Sequence, residues 1–457
     1  MLRKPFNVLD HNIHPVAKIL RLAWPVIVSM ALHNSYSIID MFWVASLGKE
    51  AVAGVTLSGI LFFFMFSGSQ VFASGIHALI ARACGAGKAH QTGMILRDGM
   101  LIALLAGLIV GFILFRFPEL ALRFLGAEEE VVTVGKSYLT IMAVGFAVSL
   151  PQFTLSAGYR ATGDMTTAMI LTAVTVVLNL ILDPILIFGL GPIPAFGLAG
   201  AAWATVISLI TAVIVGIIIL PRHHSLNGFR FYRRVSLGVV KEMFVIGLPT
   251  GVHYMLLSLN QTIMIRMVAE FGTVVIAATG IGTRITHLAF LPCIGIGTAI
   301  ATLVGQYLGA GEEERAVLHI RRALLINGVV TLLFCVLIAV FPGVLMSVFT
   351  DSPDIVATGK VYLRVFALGF VFVSTVIVLT RVFQGAGDTV WPAVAAMCRI
   401  LFFIVLGFIL GWLTDLQELG VWLAFVVASF GQLLVISWIY RFGTWKRRSL
   451  KTVEQNE

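Results

Sequence analysis

Residues 85–97 read GAGKAHQTGMILR and residues 309–321 read GAGEEERAVLHIR, two stretches that begin and end alike at a displacement of 224 positions. The match continues outward in both directions without a gap. Towards the N-terminus, Ala53 pairs with Ala277, Gly48 with Gly272 and Pro25 with Pro249. Towards the C-terminus, Pro118 pairs with Pro342, Lys136 with Lys360, Tyr138 with Tyr362, and Gly163-Asp164 with Gly387-Asp388. A long apolar unit repeated once is how many secondary transporters are built, with the substrate path at the interface of the repeats.

The composition places that repeat in a membrane. Of 457 residues, 59% are hydrophobic and 12% charged, against roughly 25% charged in soluble domains. Spans of about 20 apolar residues are predicted at 18–46, 51–80, 94–117, 131–157, 166–190, 197–220, 242–269, 274–306, 319–341, 355–381, 390–412 and 419–441. The expected fold is therefore an all-α integral membrane protein of twelve transmembrane helices in two parallel six-helix repeats. Its expected parts are an N-terminal lobe (1–220), a basic, polar linker (221–241), a C-terminal lobe (242–441) and a tail (442–457).

Charge sets the expected orientation. With the N-terminus inside, most of the 31 lysines and arginines fall on inner segments, among them Arg82, Lys88, Arg97, Arg160, Arg321 and Arg447. Acids such as Glu128, Glu129, Asp351 and Asp415 collect outside. By the positive-inside rule both termini are cytoplasmic, in the cell's inner membrane. The net charge of +9 is thus a topology signal and no argument for nucleic acid, and the basic tail 446–451 is expected near anionic lipid headgroups. No cleaved signal peptide is expected, because the first apolar run is long enough to stay in the membrane and lacks a small-residue cleavage site. Cys84, Cys293, Cys335 and Cys398 have no metal-ligand spacing and read as packing residues.

The two Gly-Ala-Gly segments are not phosphate loops. Lys88 is followed by Ala89 rather than Ser or Thr, and no strand precedes. They read as tight turns between helices. Without a nucleotide site, transport has to run on an ion gradient, with no other cofactor than the coupling ion.

Carboxylates inside spans are costly and usually functional, and two qualify: Asp40 in the first span and Asp183 in the fifth. The displaced positions are Met264 and Gly407, so the repeat is chemically asymmetric. His33, Tyr36, Ser37 and Asp40 share a face of the first helix; Thr172, Thr175, Asn179 and Asp183 share one of the fifth, with Pro184 freeing a carbonyl beside the acid. The fourth helix adds Tyr138, Ser149, Gln152 and Ser156, and the sixth Thr205 and Ser208. Converging, these stripes would form a pocket of hard oxygen ligands suited to sodium or to a shared proton. The second lobe offers His253, Tyr254, Asn260, Gln261, His287 and Arg284, the last near enough to the outer end to snorkel.

The runs YSIIDMFWVASLGKEAVAGVTLSG (36–59), RATGD (160–164), LNLILDPILIFG (178–189) and GLAGAAWATVIS (197–208) resemble the multidrug and toxic compound extrusion (MATE) family, and the likeness spans nearly the whole chain. The resemblance implies export of cationic, amphipathic organic compounds in exchange for H+ or Na+. Within the family the pattern is similar to the DinF-like branch: Asp40, Asn179 and Asp183 match its ion-coupling residues, Thr205 its sixth-helix threonine, and Tyr36 and Tyr138 its cavity tyrosines. Were Na+ the coupling ion, Asp40, Asn179 and Asp183 would be its ligands. His33, Gln152, Ser156, Asn260 and Gln261 complete the expected substrate-binding set. The NorM-like branch carries further acids in the second lobe, where this chain has Asn260 and Gln261. A lipid-linked oligosaccharide flippase of the same superfamily is the alternative, but its anionic cargo calls for several Arg or Lys in the cleft. An intramembrane enzyme would need a His/Asp or metal-like cluster, whereas the histidines here are scattered.

Overall fold

The computed structural model describes residues 7–126, 128–226, 229 and 235–447. Among these it is helical throughout, with no strand beyond one bridge between Leu190 and Ile193. The first half holds α1 (Pro15–Ala45), α2 (Lys49–Gly85), α3 (Ala89–Arg116), α4 (Pro118–Phe124), α5 (Glu129–Ala161), α6 (Met165–Phe188) and α7 (Leu198–Ile219). The second half repeats the order with α8 (Leu237–Ala269), α9 (Thr273–Gly309), α10 (Glu313–Val340), α11 (Pro342–Ser347), α12 (Pro353–Ala386), α13 (Val390–Trp412) and α14 (Gln417–Phe442), and closes with α15 (Thr444–Arg447). Twelve of these helices are long and apolar enough to cross a membrane, each overlapping one predicted span.

The backbone carries the duplication too. Gly48 and Gly272 precede α2 and α9 with φ of 106° and 107°, and Gly87 and Gly311 turn the chain into α3 and α10 at 74° and 75°. A side chain is strained at such φ, which explains why glycine stands at both copies. The short helices α4 and α11 were not foreseen. Each starts on a proline of the repeat, Pro118 or Pro342, a residue that suits a first helical turn because it lacks the N–H left unused there.

Contacts divide the chain into two compact units, one built on Val28–Gly251 and the other on Leu9–Ile27 with Val252–Ser449. The division falls inside α1 and α8, within a turn of Pro25 and Pro249, each of which breaks the helical hydrogen-bond ladder. In the first unit, the start of α8 packs on α2: Ser74 and Thr250 share a hydrogen bond of 3.0 Å, and Gly75 lies against the Met243 backbone. In the second, the start of α1 packs on α9, where the Lys18 ammonium donates to the Tyr307 hydroxyl at 2.8 Å and Gly295 lies against Ala23 and Ile27.

Two details of the first unit bear on the site. Gly200 of α7 meets the Leu186 carbonyl of α6, and an added Cβ would overlap it. Such close approach through a small residue is how membrane helices pack. Gly200→Val is expected to cost about 1–3 kcal/mol through overpacking, checked as a lower melting temperature of the purified protein.

At the other end of α6, Asp164 caps the helix, accepting from the Thr167 amide at 2.9 Å and hydroxyl at 2.6 Å, with His223 Nε2 at 3.5 Å. Burial alone would raise the Asp164 carboxyl, but bonds from His223 and Thr167 outweigh it and hold the group below the usual carboxylate range. A depressed carboxyl stabilises the fold at pH above its unfolded value near 3.9, and that contribution disappears as pH falls through the lower folded value. Asp164→Ala is expected to lose about 1 kcal/mol at neutral pH. The gap to wild type should close below about pH 4, and melting curves across pH check it.

Candidate functional site

The two intramembrane acids come together. The carboxyl of Asp40 on α1 lies within side-chain hydrogen-bonding reach of Asp183 on α6, and among the described residues no basic side chain acts on either. Asn179, one turn before Asp183, links the pair to α7. Its amide is oriented by its partners: the nitrogen donates to Asp183 Oδ2 at 2.6 Å, and the oxygen accepts from the Thr205 hydroxyl and backbone N–H, each at 3.1 Å. The Tyr36 hydroxyl is 3.4 Å from Thr205 Oγ1, and the His33 ring tilts against Tyr36 at 6.0 Å. Tyr138 is buried beside Val44, Ala201 and Val206 and sits in the field of both acids. By helical rise, Asp40, Asp183 and Thr205 all lie within about 11 Å of the ends of α1, α6 and α7.

Sequence fixes this local geometry through spacing. Tyr36 and Asp40 are four apart on α1, as are Asn179 and Asp183 on α6, so each pair stacks on one face. Pro184 withholds an amide hydrogen from the turn that holds Asp183. Gly200 lets α6 approach α7 closely enough for Asn179 to reach Thr205.

Other stripe residues go elsewhere. The hydroxyls of Thr172 and Thr175 bond back to the Ala168 and Leu171 carbonyls of their own helix, and Ser149 to that of Phe146. Gln152 and Ser156 are buried on α5, but about 21 and 27 Å along the helix from Tyr138. Ser208 is buried one turn beyond Thr205, its hydroxyl without a hydrogen-bond partner among the described residues. Asn260 and Gln261 belong to the second unit, where Asn260 is buried and its side-chain oxygen has no hydrogen-bond partner among the described residues. Arg284 is exposed on α9, and Ser37 lies outside the residues whose side chains are described.

The second unit shows what the same frame looks like without the acids. Met264, the counterpart of Asp40, is buried in an apolar cluster, and Phe403, the counterpart of Asn179, is fully buried in it. An added Cβ at Gly407, the counterpart of Asp183, would touch Met267. Ser429, matching Thr205, bonds to the Phe425 carbonyl, and Tyr362, matching Tyr138, lies 3.2 Å from the Thr283 hydroxyl. Hydrophobic packing fills the volume that polar groups occupy in the first repeat.

Chemically, the site can hold one proton or one small cation. Two ionised carboxylates are acceptors only, so a hydrogen bond between them needs a proton on one. Without that proton, adjacent charges in a low-dielectric site call for a bound cation. Asp40, Asp183, the Asn179 oxygen and the Thr205 hydroxyl are oxygen donors of the kind a sodium ion takes. No group of three or more His, Cys, Asp or Glu suited to a metal occurs among the described residues.

A duplicated twelve-span frame with one buried carboxyl pair defines an integral membrane carrier. The chain belongs to the MatE family, whose model matches residues 25–185 and again 249–409, at the same displacement of 224. It is 28% identical to the "Probable multidrug resistance protein YoeA" of Bacillus subtilis over 438 residues, covering 94% of each chain. It is 24% identical to the "FAD transporter" of Shewanella oneidensis over 85% of this chain and 86% of that one. Among solved structures, "MATE in complex with MaD3S" superposes with a TM-score of 0.89 at 23% identity, over 98% of this chain and all of the other. These relatives are transporters, and the chain is no enzyme.

Proposed function

We propose that the chain is a secondary active multidrug efflux antiporter of the DinF-like branch. It exports cationic amphipathic compounds in exchange for H+ or Na+, by rocking of the lobes 1–220 and 242–441, with both termini in the cytoplasm. The observation that carries this reading is the Asp40–Asp183 carboxyl pair, tied through Asn179 and Thr205 to Tyr36. A buried site with surplus negative charge takes a proton, a metal cation or an organic cation. Occupants that neutralise the same carboxylates compete, and competition between faces of the membrane is what an exchanger needs. Apolar and aromatic groups near the acids, such as His33, Tyr36 and Tyr138, suit the amphipathic part of such a cargo.

The test uses the full-length chain in liposomes loaded with a fluorescent organic cation, with proton and sodium gradients imposed separately. Movement of the cation against one of these gradients is expected. Transport of flavin adenine dinucleotide or of a lipid pyrophosphate, with the cation left in place, would overturn the reading. Reporters fused after Glu457 and beside Glu129 test the orientation; the first should lie inside and the second outside, and the reverse would remove the topology argument.

A further inference from the structure

We propose that the cavity between the ends of α10 and α14 binds the phosphodiester headgroup of an anionic phospholipid. Both helices pack on α12, which leaves a groove between them. Gly443, at φ 70°, ends α14 and turns the chain back into α15 across the groove. This open-sided cavity has a volume of about 500 Å³ and is lined by Arg321 of α10, Arg441 of α14, and Lys446 and Arg447 of α15. Glu313 is the one carboxylate of the lining among the described residues, and at 3.9 Å from Lys446 it offsets a single charge. Three guanidinium groups remain, the side chain best shaped for two-pronged bonding to phosphate.

The floor of the cavity is built rather than loose. Trp445 is fully buried, stacks on Tyr440 with ring centres 5.5 Å apart at 7°, and donates its indole N–H to the Tyr440 carbonyl at 3.3 Å. The Lys446 ammonium lies 5.7 Å from the centre of the Trp445 ring. The cations are therefore presented from a rigid helical corner.

The first repeat provides an internal control. Arg97, the counterpart of Arg321, is buried and bonded to Asp98, its Nε at 2.9 Å; Asp98 also accepts from the Ser236 amide at 3.0 Å. The chain after α7 fills the corresponding groove: Leu226 is fully buried, and the Thr92 hydroxyl of α3 bonds to the Ser225 carbonyl. In the second repeat the counterpart of Asp98 is Arg322. Where the first copy supplies its own carboxylate and its own plug, the second has another cation and a cavity. Among the described residues no further carboxylate completes the corner, and an anionic group from outside the chain would do so.

Position favours a lipid over free phosphate. The cations sit where two membrane-crossing helices end, and exposed apolar residues follow on both, Leu325 and Val329 on α10 and Leu434 and Trp438 on α14. A headgroup at the cations places acyl chains along those residues. This inference is independent of the cargo and of the Asp40 site.

The test is native mass spectrometry of the full-length chain titrated with phosphatidylglycerol, with phosphatidylcholine and inorganic phosphate as separate competitors. Wild type should retain one phosphatidylglycerol that phosphatidylcholine does not displace. The double variant Arg321→Gln/Arg441→Gln should bind it about thirtyfold more weakly, from about 1 kcal/mol per basic residue at a membrane surface. Arg266→Gln, removing an exposed cation of α8 that pairs with Glu270, should bind as wild type. If the double variant does not fold, as judged by melting in phosphatidylcholine, the exposed Arg447→Gln replaces it, with an expected loss of about fivefold. Equal phosphatidylglycerol affinity in variant and wild type would overturn the proposal, as would displacement by inorganic phosphate alone.

Discussion

Asp40→Asn is expected to leave the protein in the membrane at wild-type abundance and to reduce gradient-driven export to the background of empty vesicles. Asparagine keeps the size of the side chain and can still hydrogen-bond Asp183, and removing a potential charge makes insertion easier. What disappears is the second carboxylate, and with it the surplus charge for which proton, metal ion and organic cation compete. Drug affinity should persist in reduced form, while its dependence on the coupling ion, expected at about 5–150-fold in the wild type, should collapse towards unity. Undiminished export at equal abundance would make Asp40 a helix-packing residue. Asp164→Asn, at the turn that caps α6, should by contrast lower stability and leave ion dependence intact.

The second large effect is expected when Asp40 and Asp183 are changed together. The two carboxyls lie side by side and act on one another, so removing either already dissolves the pair. The double variant should therefore lose little more than each single variant, with a coupling energy of about 1–3 kcal/mol. Asn179→Ala should join the same coupled set, because its amide bridges Asp183 to Thr205. Additive losses would mean that the two acids work at separate places.

These outcomes depend on an asymmetry the sequence shows plainly. Met264 and Gly407 stand where the second repeat would need acids, and there the structure has hydrophobic packing with Phe403 at the Asn179 position. Span number, the repeat and the pairing of acids with helical stripes were equally legible, because hydropathy and spacing are local properties. Three things were not. Helix ends overran their predicted limits at Gly85, Gly309 and Ala386, since a helix can run on past the stretch needed to span a membrane. The helices α4 and α11 are too short for any span criterion, although the repeated Pro118 and Pro342 mark them. The exchange of the first halves of α1 and α8 between the compact units depends on contacts between residues far apart in sequence, which periodicity does not encode.

The candidate site divides in the same way. Spacing put Thr172, Thr175, Asn179 and Asp183 on one stripe, but which members face the site depends on the neighbouring helix. The threonines satisfy themselves on their own carbonyls, while Gly200 brings α7 close to α6, where Asn179 meets Thr205. Distance along the helix, rather than face, separates Gln152 and Ser156 from Tyr138. The phosphate-binding corner was visible in sequence only as a general excess of charge in the tail. Comparing Asp98 with Arg322 across the repeat is the signal that could have located it.

The most direct test of the central claim is equilibrium binding of a fluorescent organic cation to the purified protein across separate pH and sodium series, for wild type and for Asp40→Asn/Asp183→Asn. The account predicts that wild-type affinity weakens as either proton or sodium concentration rises, and that the double variant is indifferent to both. Wild-type affinity independent of both ions, or ion sensitivity that survives in the double variant, would contradict it.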